Sequence, residues 1–478
     1  MTEDLRAWLE RIEKEGELKK LEGVHWDLEI GNLTALNSQR RNAPALLFDK
    51  IPGYPPGFRV LTGAILTPRR VALTLGLPAD GTQREMIDAA RQKLKYWLAN
   101  LDRFKPRVVS EGPVLQNIKK GKDINVLQFP APKWHKKDGG RYIGTGHTIV
   151  TRDPETNELN LGTYRVMIQN ENTLGFHISP GKHGRLHFEK YHARGQKAPI
   201  LISLGHNPLV FAASTLSLPM GVEYNYLGAM RGQPVDVIEE EVTGLPMPAD
   251  SEIVIAGWCP PGKTMPEGPF GEYTGYYASG ERQNPIIEVE RVYYRHNPIL
   301  NGAPPSRPPD DGSYHLSLIG SLLIEMELAK LGVPDVKAVW LHESGPGYFF
   351  VTISIKQRFA GHAKQAALYA SELSARAGLG GRYVIVVDED IDVTDINQVI
   401  WALCTRSDPE KDLDIIRRVR STPLDPVIKK PAAGLFASRA LITAVRPWEW
   451  KDQFPEVIEL DDDVVARLRK RFGKELNL

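Results

Sequence analysis

The sequence predicts a mixed α/β (α+β) protein of several successive units, on three observations. Residues 1–115 mix helical and extended patterns around Pro- and Gly-rich turns. From about 120 to 300, apolar runs of four to eight residues alternate with Gly, Pro and Asn. Beyond about 314, helical and strand patterns alternate as in a layered α/β unit. A length of 478 residues suits about three domains.

In the leading part, Leu5, Leu9 and Ile12 recur at helical spacing among charges, and Gly16 follows. Residues 3–15 are therefore expected to form an amphipathic helix. Ala45–Asp49 reads as a short strand before the turn-rich stretch 51–57, and 83–101 as a second helix. A Pro-containing stretch at 106–113 closes this unit. The middle unit, 116–310, is expected to be β-rich and barrel-like. Its strands fall at 147–151, 164–168, 199–203, 253–256 and 286–290, with a helix or two laid across them. A helix over 314–331, within a linking segment 311–335, leads to the last unit, 336–450. There, strands at 338–341, 349–355 and 383–387 alternate with helices at 361–377 and near 397–404. Residues 461–478, within a tail 451–478, read as a charged amphipathic helix, packed on a neighbouring subunit or on its own domain. The sequence shows no internal repeat and no low-complexity tract.

Composition excludes several classes. A hydrophobic fraction of 42% and a charged fraction of 25% are those of an ordinary globular protein, and a net charge of +1 offers nucleic acid or an anionic membrane no electrostatic footing. Cys259 and Cys404 are the only cysteines and lack a C-x-x-C partner, as expected of free thiols in a reducing compartment. Residues 1–23 carry no apolar signal-peptide core, and no apolar run approaches the ~20 residues of a membrane span. The expectation is a cytoplasmic protein.

The richest motif is Pro266-Glu267-Gly268-Pro269-Phe270-Gly271-Glu272. Pro and Gly keep it out of a regular helix, so two carboxylates can enter one cavity, where burial and a neighbouring cation separate their pKa values. Arg165, in an apolar β-like run, needs a partner if it faces inward, and either glutamate could supply one. Such an Arg grips a carboxylate in bidentate fashion, or it forms a purely structural ion pair. Asn160, His183 and Glu223 make a mixed N/O set suited to Mn²⁺ or Mg²⁺, with phosphate oxygens completing the shell. Their spacing does not establish that they converge, and each has an ordinary structural reading. Residues 134–141, a basic Gly-containing loop, read as solvated rather than phosphate-binding, and Asp388 to Asp392 as a strand-end loop. No G-x-G-x-x-G after a strand, Walker loop or G-x-S-x-G is present.

Taken together, these segments resemble the UbiD family of decarboxylases, which use prenylated flavin mononucleotide. The resemblance runs from Asp4-Leu-Arg-Ala-Trp-Leu9 through residues 48–54 and 266–272 to Val386-Val-Asp-Glu-Asp-Ile-Asp392 and Trp401-Ala-Leu-Cys-Thr-Arg406. It looks closest to the branch acting on aromatic and hydroxyaromatic acids. It implies a central split β-barrel that binds flavin and a C-terminal oligomerisation domain, in a homodimer or homohexamer. It also implies a UbiX-type flavin prenyltransferase as supplier of the cofactor. Asn160, His183 and Glu223 stand at the metal-ligand positions, and Arg165, Glu267 and Glu272 at the catalytic ones. Gly162, Thr163, Tyr164, Arg165 and Lys182 fall along the cofactor. Ser214, Thr215 and Leu216 lie where flavin and K⁺ are contacted, and Lys356 is a further phosphate contact. His315 and Ile319 are placed near the substrate ring. Two features depart from the pattern: Lys182 stands where many members have Gln, and the stretch 304–315 differs on the substrate side.

The reaction implied is reversible, non-oxidative decarboxylation of an aromatic, heteroaromatic or α,β-unsaturated acid. Two alternatives stand beside it. One is a non-catalytic or assembly subunit of a larger carboxylase, which has no need of Arg165, Glu267 and Glu272 together. The other is a conventional split-barrel flavin reductase, which the chain length and the 266–272 loop disfavour.

Overall fold

Asp4 opens the first helix, Leu5–Lys14, by accepting a hydrogen bond from Ala7 N, and Leu5, Trp8, Leu9 and Ile12 face inward at helical spacing. They pack with Leu18, Leu47, Leu61 and Ile299. The helix thus covers a sheet of Leu18–Glu22, Ala45–Asp49, Arg59–Thr62 and Ile299–Gly302. The last strand arrives from the far end of the middle segment and pairs in parallel with Arg59–Thr62. This is the computed structural model of the chain, and it describes residues 3–216, 218–347, 349–376, 381–428 and 435–476. Residues 377, 477 and 478, expected at two helix ends, lie outside the described residues.

The middle of the chain forms a ten-stranded, curled half-barrel sheet. Its central strand, Ala198–Leu204, is buried at every position because both faces are covered. Alternate residues feed two cores. Ile200, Ile202, Ile253 and Ile255 pack on one side with Ile149, Phe176 and Phe188. Leu201, Val254, Ala256 and Val150 pack on the other with Phe211, Leu227 and Trp97. Helices Pro208–Ser214, Glu223–Arg231 and Gln83–Ala99 supply that second side. Gln83–Ala99 begins in a reciprocal capping box between Thr82 and Glu85. The long strand Arg282–Tyr294 also receives Thr264–Glu267 and Asn117–Lys120.

The last unit is a five-stranded sheet in the order Val336–Leu341, Phe350–Ile355, Tyr383–Asp388, Phe436–Ala444, Leu413–Arg420. The Ala-rich face of His362–Arg376 packs on one side, with Val351, Ile353, Val384 and Val386. Val399 and Ala402 of Ile396–Arg406 pack on the other, with Ile385 and Val387. Helix Ser313–Lys330 joins the two halves, placing Leu318 and Leu322 in one core and Ile324 and Leu328 in another. The terminal helix Asp462–Leu476 buries none of its residues against the chain. Among the described residues no helix is long and apolar enough to cross a membrane.

Two local expectations need correction. The strand expected at 164–168 runs from Val166 to Asn170, because Tyr164 and Arg165 turn into a cavity before the ladder begins. The loop 134–141 is solvated only at Lys136, Lys137 and Gly139, and its remaining residues are packed. Trp134 and Asp138 are buried, Arg141 stacks over Trp26 at 4.3 Å, and Gly139 N donates to Pro269 O at 2.9 Å.

Candidate active site

A cavity of about 960 Å³ opens between the half-barrel and the last unit, a volume suited to a cofactor and a small molecule together. Arg165 enters it from the turn after Leu159–Gly162, while Glu267 ends the strand Thr264–Glu267 and Glu272 follows on the loop. Arg165 Nε and Nη2 donate to Glu267 Oε1 and Oε2 at 2.8 and 3.0 Å, and Nη1 donates to Glu272 Oε1. Glu267 accepts two further bonds, from Tyr142 Oη and from Asn284 Nδ2, each at 2.8 Å. Burial alone would raise the Glu267 carboxyl, but Arg165 and Tyr142 hold it below the usual range. Glu267 is fully enclosed and Glu272 lines the cavity. The Arg165 guanidinium also lies 5.2 Å from the Phe270 ring centroid. Gly268, at φ +88°, takes a left-handed backbone that other residues adopt only with strain, so the strand can break between the two glutamates.

The second group lies across the cavity. His183 and Glu223 are the first residues of helices His183–Ala193 and Glu223–Arg231, so both helices aim their N-termini at it. His183 Nδ1 lies 3.9 Å from Glu223 Oε1. Asn160 Nδ2 donates to Thr151 Oγ1 at 3.3 Å and Tyr164 Oη at 3.4 Å, leaving Oδ1 as the amide acceptor. Glu223 Oε2 is buried without a hydrogen-bond partner, and burial raises its carboxyl above the usual range although His183 opposes the shift. An orphaned carboxylate oxygen beside an imidazole and an amide oxygen is the donor set of a hard divalent cation, so the residues fit a metal that grips a cofactor phosphate. Tyr164 organises the cluster. Its ring lies between Gly162 and Gly184, where an added Cβ would come within 2.4 and 2.7 Å, and its hydroxyl accepts from Gly184 N at 3.2 Å.

Gly162, Thr163, Tyr164, Lys182, Ser214, Thr215 and Leu216 also line the cavity. Three expected site residues are not brought there. Lys356 is exposed beside Glu389 at 3.8 Å. His315 is buried with Nε2 donating to Ala212 O at 3.1 Å, and Ile319 sits in the apolar core. On helix Ser313–Lys330 the cavity is met by Ser313, Leu316 and Ser317. At 3.6 residues per turn, 315 and 319 fall on the opposite side. Sequence reading missed Tyr142, Asn284 and His177, for which no motif speaks. Their one signal is a polar residue in or beside an otherwise apolar strand.

Comparison with known proteins places the chain as a whole. The chain matches the N-terminal, Rift-related and C-terminal domains of 3-octaprenyl-4-hydroxybenzoate carboxy-lyase over residues 9–90, 107–308 and 316–444. The pyrrole-2-carboxylic acid decarboxylase of Pseudomonas aeruginosa is 33% identical over 470 residues, covering 94% of this chain and 92% of that protein. The vanillic acid decarboxylase of Sedimentibacter hydroxybenzoicus, in its closed form, superposes with a TM-score of 0.85 at 30% identity over 99% of both chains. An evolved dimeric form of the UbiD-class enzyme HmfF from Pelotomaculum thermopropionicum, in complex with prFMN, superposes with a TM-score of 0.79 at 28% identity over 96% of this chain and 97% of that one. The fold is that of the UbiD carboxy-lyases, and the chain is an enzyme of that class. The chain belongs to the UbiD family, as the resemblance in its sequence implied.

Proposed function

We propose that the cavity binds prenylated FMN and an aromatic, heteroaromatic or α,β-unsaturated carboxylic acid, whose carboxylate is released as CO₂ and replaced by a proton. The bound flavin supplies the electron sink for decarboxylation. Asn160, His183 and Glu223 would hold Mn²⁺ or Mg²⁺ near its phosphate, with Lys182 next to His183 in the chain, and Ser214, Thr215 and Leu216 on the cavity wall would be the place for K⁺. Relatives named for pyrrole-2-carboxylic and vanillic acid support an aromatic substrate.

The observation that carries this reading is the unequal sharing of one guanidinium by two carboxylates. Glu267 lies behind Arg165 with four donors on its oxygens, so it stays ionised and holds the guanidinium plane. Glu272 takes Arg165 Nη1 and faces the cavity. A substrate carboxylate joining them brings a third negative charge to one cation, which favours a proton on the group that faces it. Arg165 thus orients the carboxylate, and Glu272 delivers the proton that replaces CO₂. In the reverse direction Glu272 takes that proton up.

The test is co-expression with a flavin prenyltransferase, followed by the absorbance spectrum and intact mass of the released ligand and a screen of aromatic acids for CO₂ release. Prenylated FMN with turnover is the expected result. Ordinary FMN with nicotinamide oxidation would overturn the reading in favour of a reductase. A folded protein without flavin would favour the assembly subunit. We also place this chain in a homodimer or homohexamer, which light scattering of the purified protein tests directly.

A further inference from the structure

Behind the Arg165–Glu267 pair lies a polar chain that the reaction scheme leaves unused. Asn284 is buried on the strand paired with Thr264–Glu267 and donates from Nδ2 to Glu267 Oε2 at 2.8 Å. Its Oδ1 lies 3.3 Å from Nδ1 of His177, a residue on the cavity wall whose backbone N donates to Arg165 O at 3.2 Å. An ionised carboxylate only accepts, so the amide nitrogen of Asn284 must face Glu267, and its oxygen, also only an acceptor, must face His177. The proton of the imidazole is thereby placed on Nδ1. A flipped Asn284 would set oxygen against oxygen at a buried carboxylate, a costly arrangement.

We propose that His177 is a positioning residue: its Nδ1–H locks the Asn284 amide in the one orientation that donates to Glu267, and so keeps the Arg165 fork aimed at the substrate carboxylate. The charged groups facing His177 are Arg165, Glu267 and Arg282. Burial favours the neutral ring, and two cations against one anion work in the same direction; in that form the single ring proton must sit on Nδ1 to meet the amide oxygen. The role at the reaction rests on the decarboxylase reading, but the hydrogen-bond chain does not.

The first test therefore uses no turnover. Full-length protein with ¹⁵N-labelled histidine, compared with His177→Asn for assignment, is expected to show His177 as the Nδ1–H tautomer, with its Nδ1 resonance moving in Asn284→Leu. An Nε2–H tautomer, or a resonance indifferent to Asn284→Leu, would overturn the lock. The second test uses flavin-loaded enzyme. His177→Leu and Asn284→Leu are each expected to lower kcat by about ten- to a hundred-fold, and the double variant by no more than the worse single one. His177→Asn, which keeps a donor at the δ position, is expected to recover most of the loss, and His177→Gln is not. Losses that multiply in the double variant, or equal behaviour of Asn and Gln, would reduce His177 to ordinary wall packing. The Asn and Gln pair decides the matter even if the Leu variants fail to fold. A wild-type protein that releases no CO₂ from any acid would fail the functional reading alone, and the tautomer would still decide the lock.

Discussion

Glu267 and Glu272 are chemically identical, and the different roles proposed for them come from their surroundings. Glu267 is enclosed with four donors on its oxygens, whereas Glu272 borders the cavity and takes Arg165 Nη1. Glu272→Gln keeps shape and loses the proton, so turnover is expected to fall by about 10²–10⁴-fold with flavin still bound. Absorbance and CO₂ release measure both at once, and near-normal turnover would remove Glu272 from the role. Arg165→Lys keeps the charge but cannot span both oxygens of Glu267 and reach Glu272 as well. It should therefore lose about a hundred-fold or more in kcat/KM, and a Lys variant within a few-fold of wild type would show that charge alone suffices. His183→Ala should lose metal and flavin together, read by metal analysis and absorbance of the purified protein. Unchanged occupancy of both would break the proposed ligand set.

Elements matter here through their ends. Helices His183–Ala193 and Glu223–Arg231 start at the cavity, and strand Leu159–Gly162 stops there, so three backbone termini place the candidate metal ligands. Tyr164 sets the spacing by filling the gap between Gly162 and Gly184. Gly184→Ala forces a contact at 2.7 Å from the Tyr164 ring and must displace the ring or the helix start. Metal affinity is expected to drop about tenfold or more, measured by titration into metal-free protein, while the melting curve keeps a single transition. Affinity equal to wild type would mean that Tyr164 does not set the ligand spacing. The terminal helix Asp462–Leu476 exposes Val464 and Leu468, and only Val465, Phe472 and Gly473 are even partly covered. If it serves the proposed oligomer, removal of residues 461–478 lowers the assembly mass in light scattering. An unchanged mass would exclude that role.

At the scale of the whole molecule, buried imidazoles govern the response to acid. Burial pushes His147 down to about 3, and His206, His315 and His342 down to about 4. In the unfolded chain each takes a proton near pH 6.5, so below that pH the unfolded state binds more protons and stability falls as pH drops. Asp310 and Asp311, raised to about 6 by burial, act oppositely, because the folded state protonates them first. Four histidines outweigh two aspartates between about pH 6 and 4, so the net direction is unchanged. Urea midpoints should fall steadily from pH 7 to pH 5, and a midpoint that rose on acidification would contradict the buried neutral state of these rings.

Local chemistry determined much of this protein in advance. The periodicity of Leu5, Leu9 and Ile12, the Gly and Pro punctuation of the middle strands and the alternation after residue 314 are short-range signals, and each recovered its element within a few residues. The motif at 266–272 declared two carboxylates on a constrained loop, and Arg165 declared the need for a partner. What needed the tertiary structure were convergences between distant segments. Ile299–Gly302 completes the leading sheet with no local sign of doing so. Tyr142, Asn284 and His177 reach Glu267, directly or in relay, only because the half-barrel curls. His315 and Ile319 point away from the cavity because one helix is rotated by its packing in the apolar core. Elements follow from side-chain period and backbone preference, which each short stretch carries within itself. The division of labour proposed for the two glutamates follows from burial and from which groups face each carboxylate, which exist only once the chain has closed on itself.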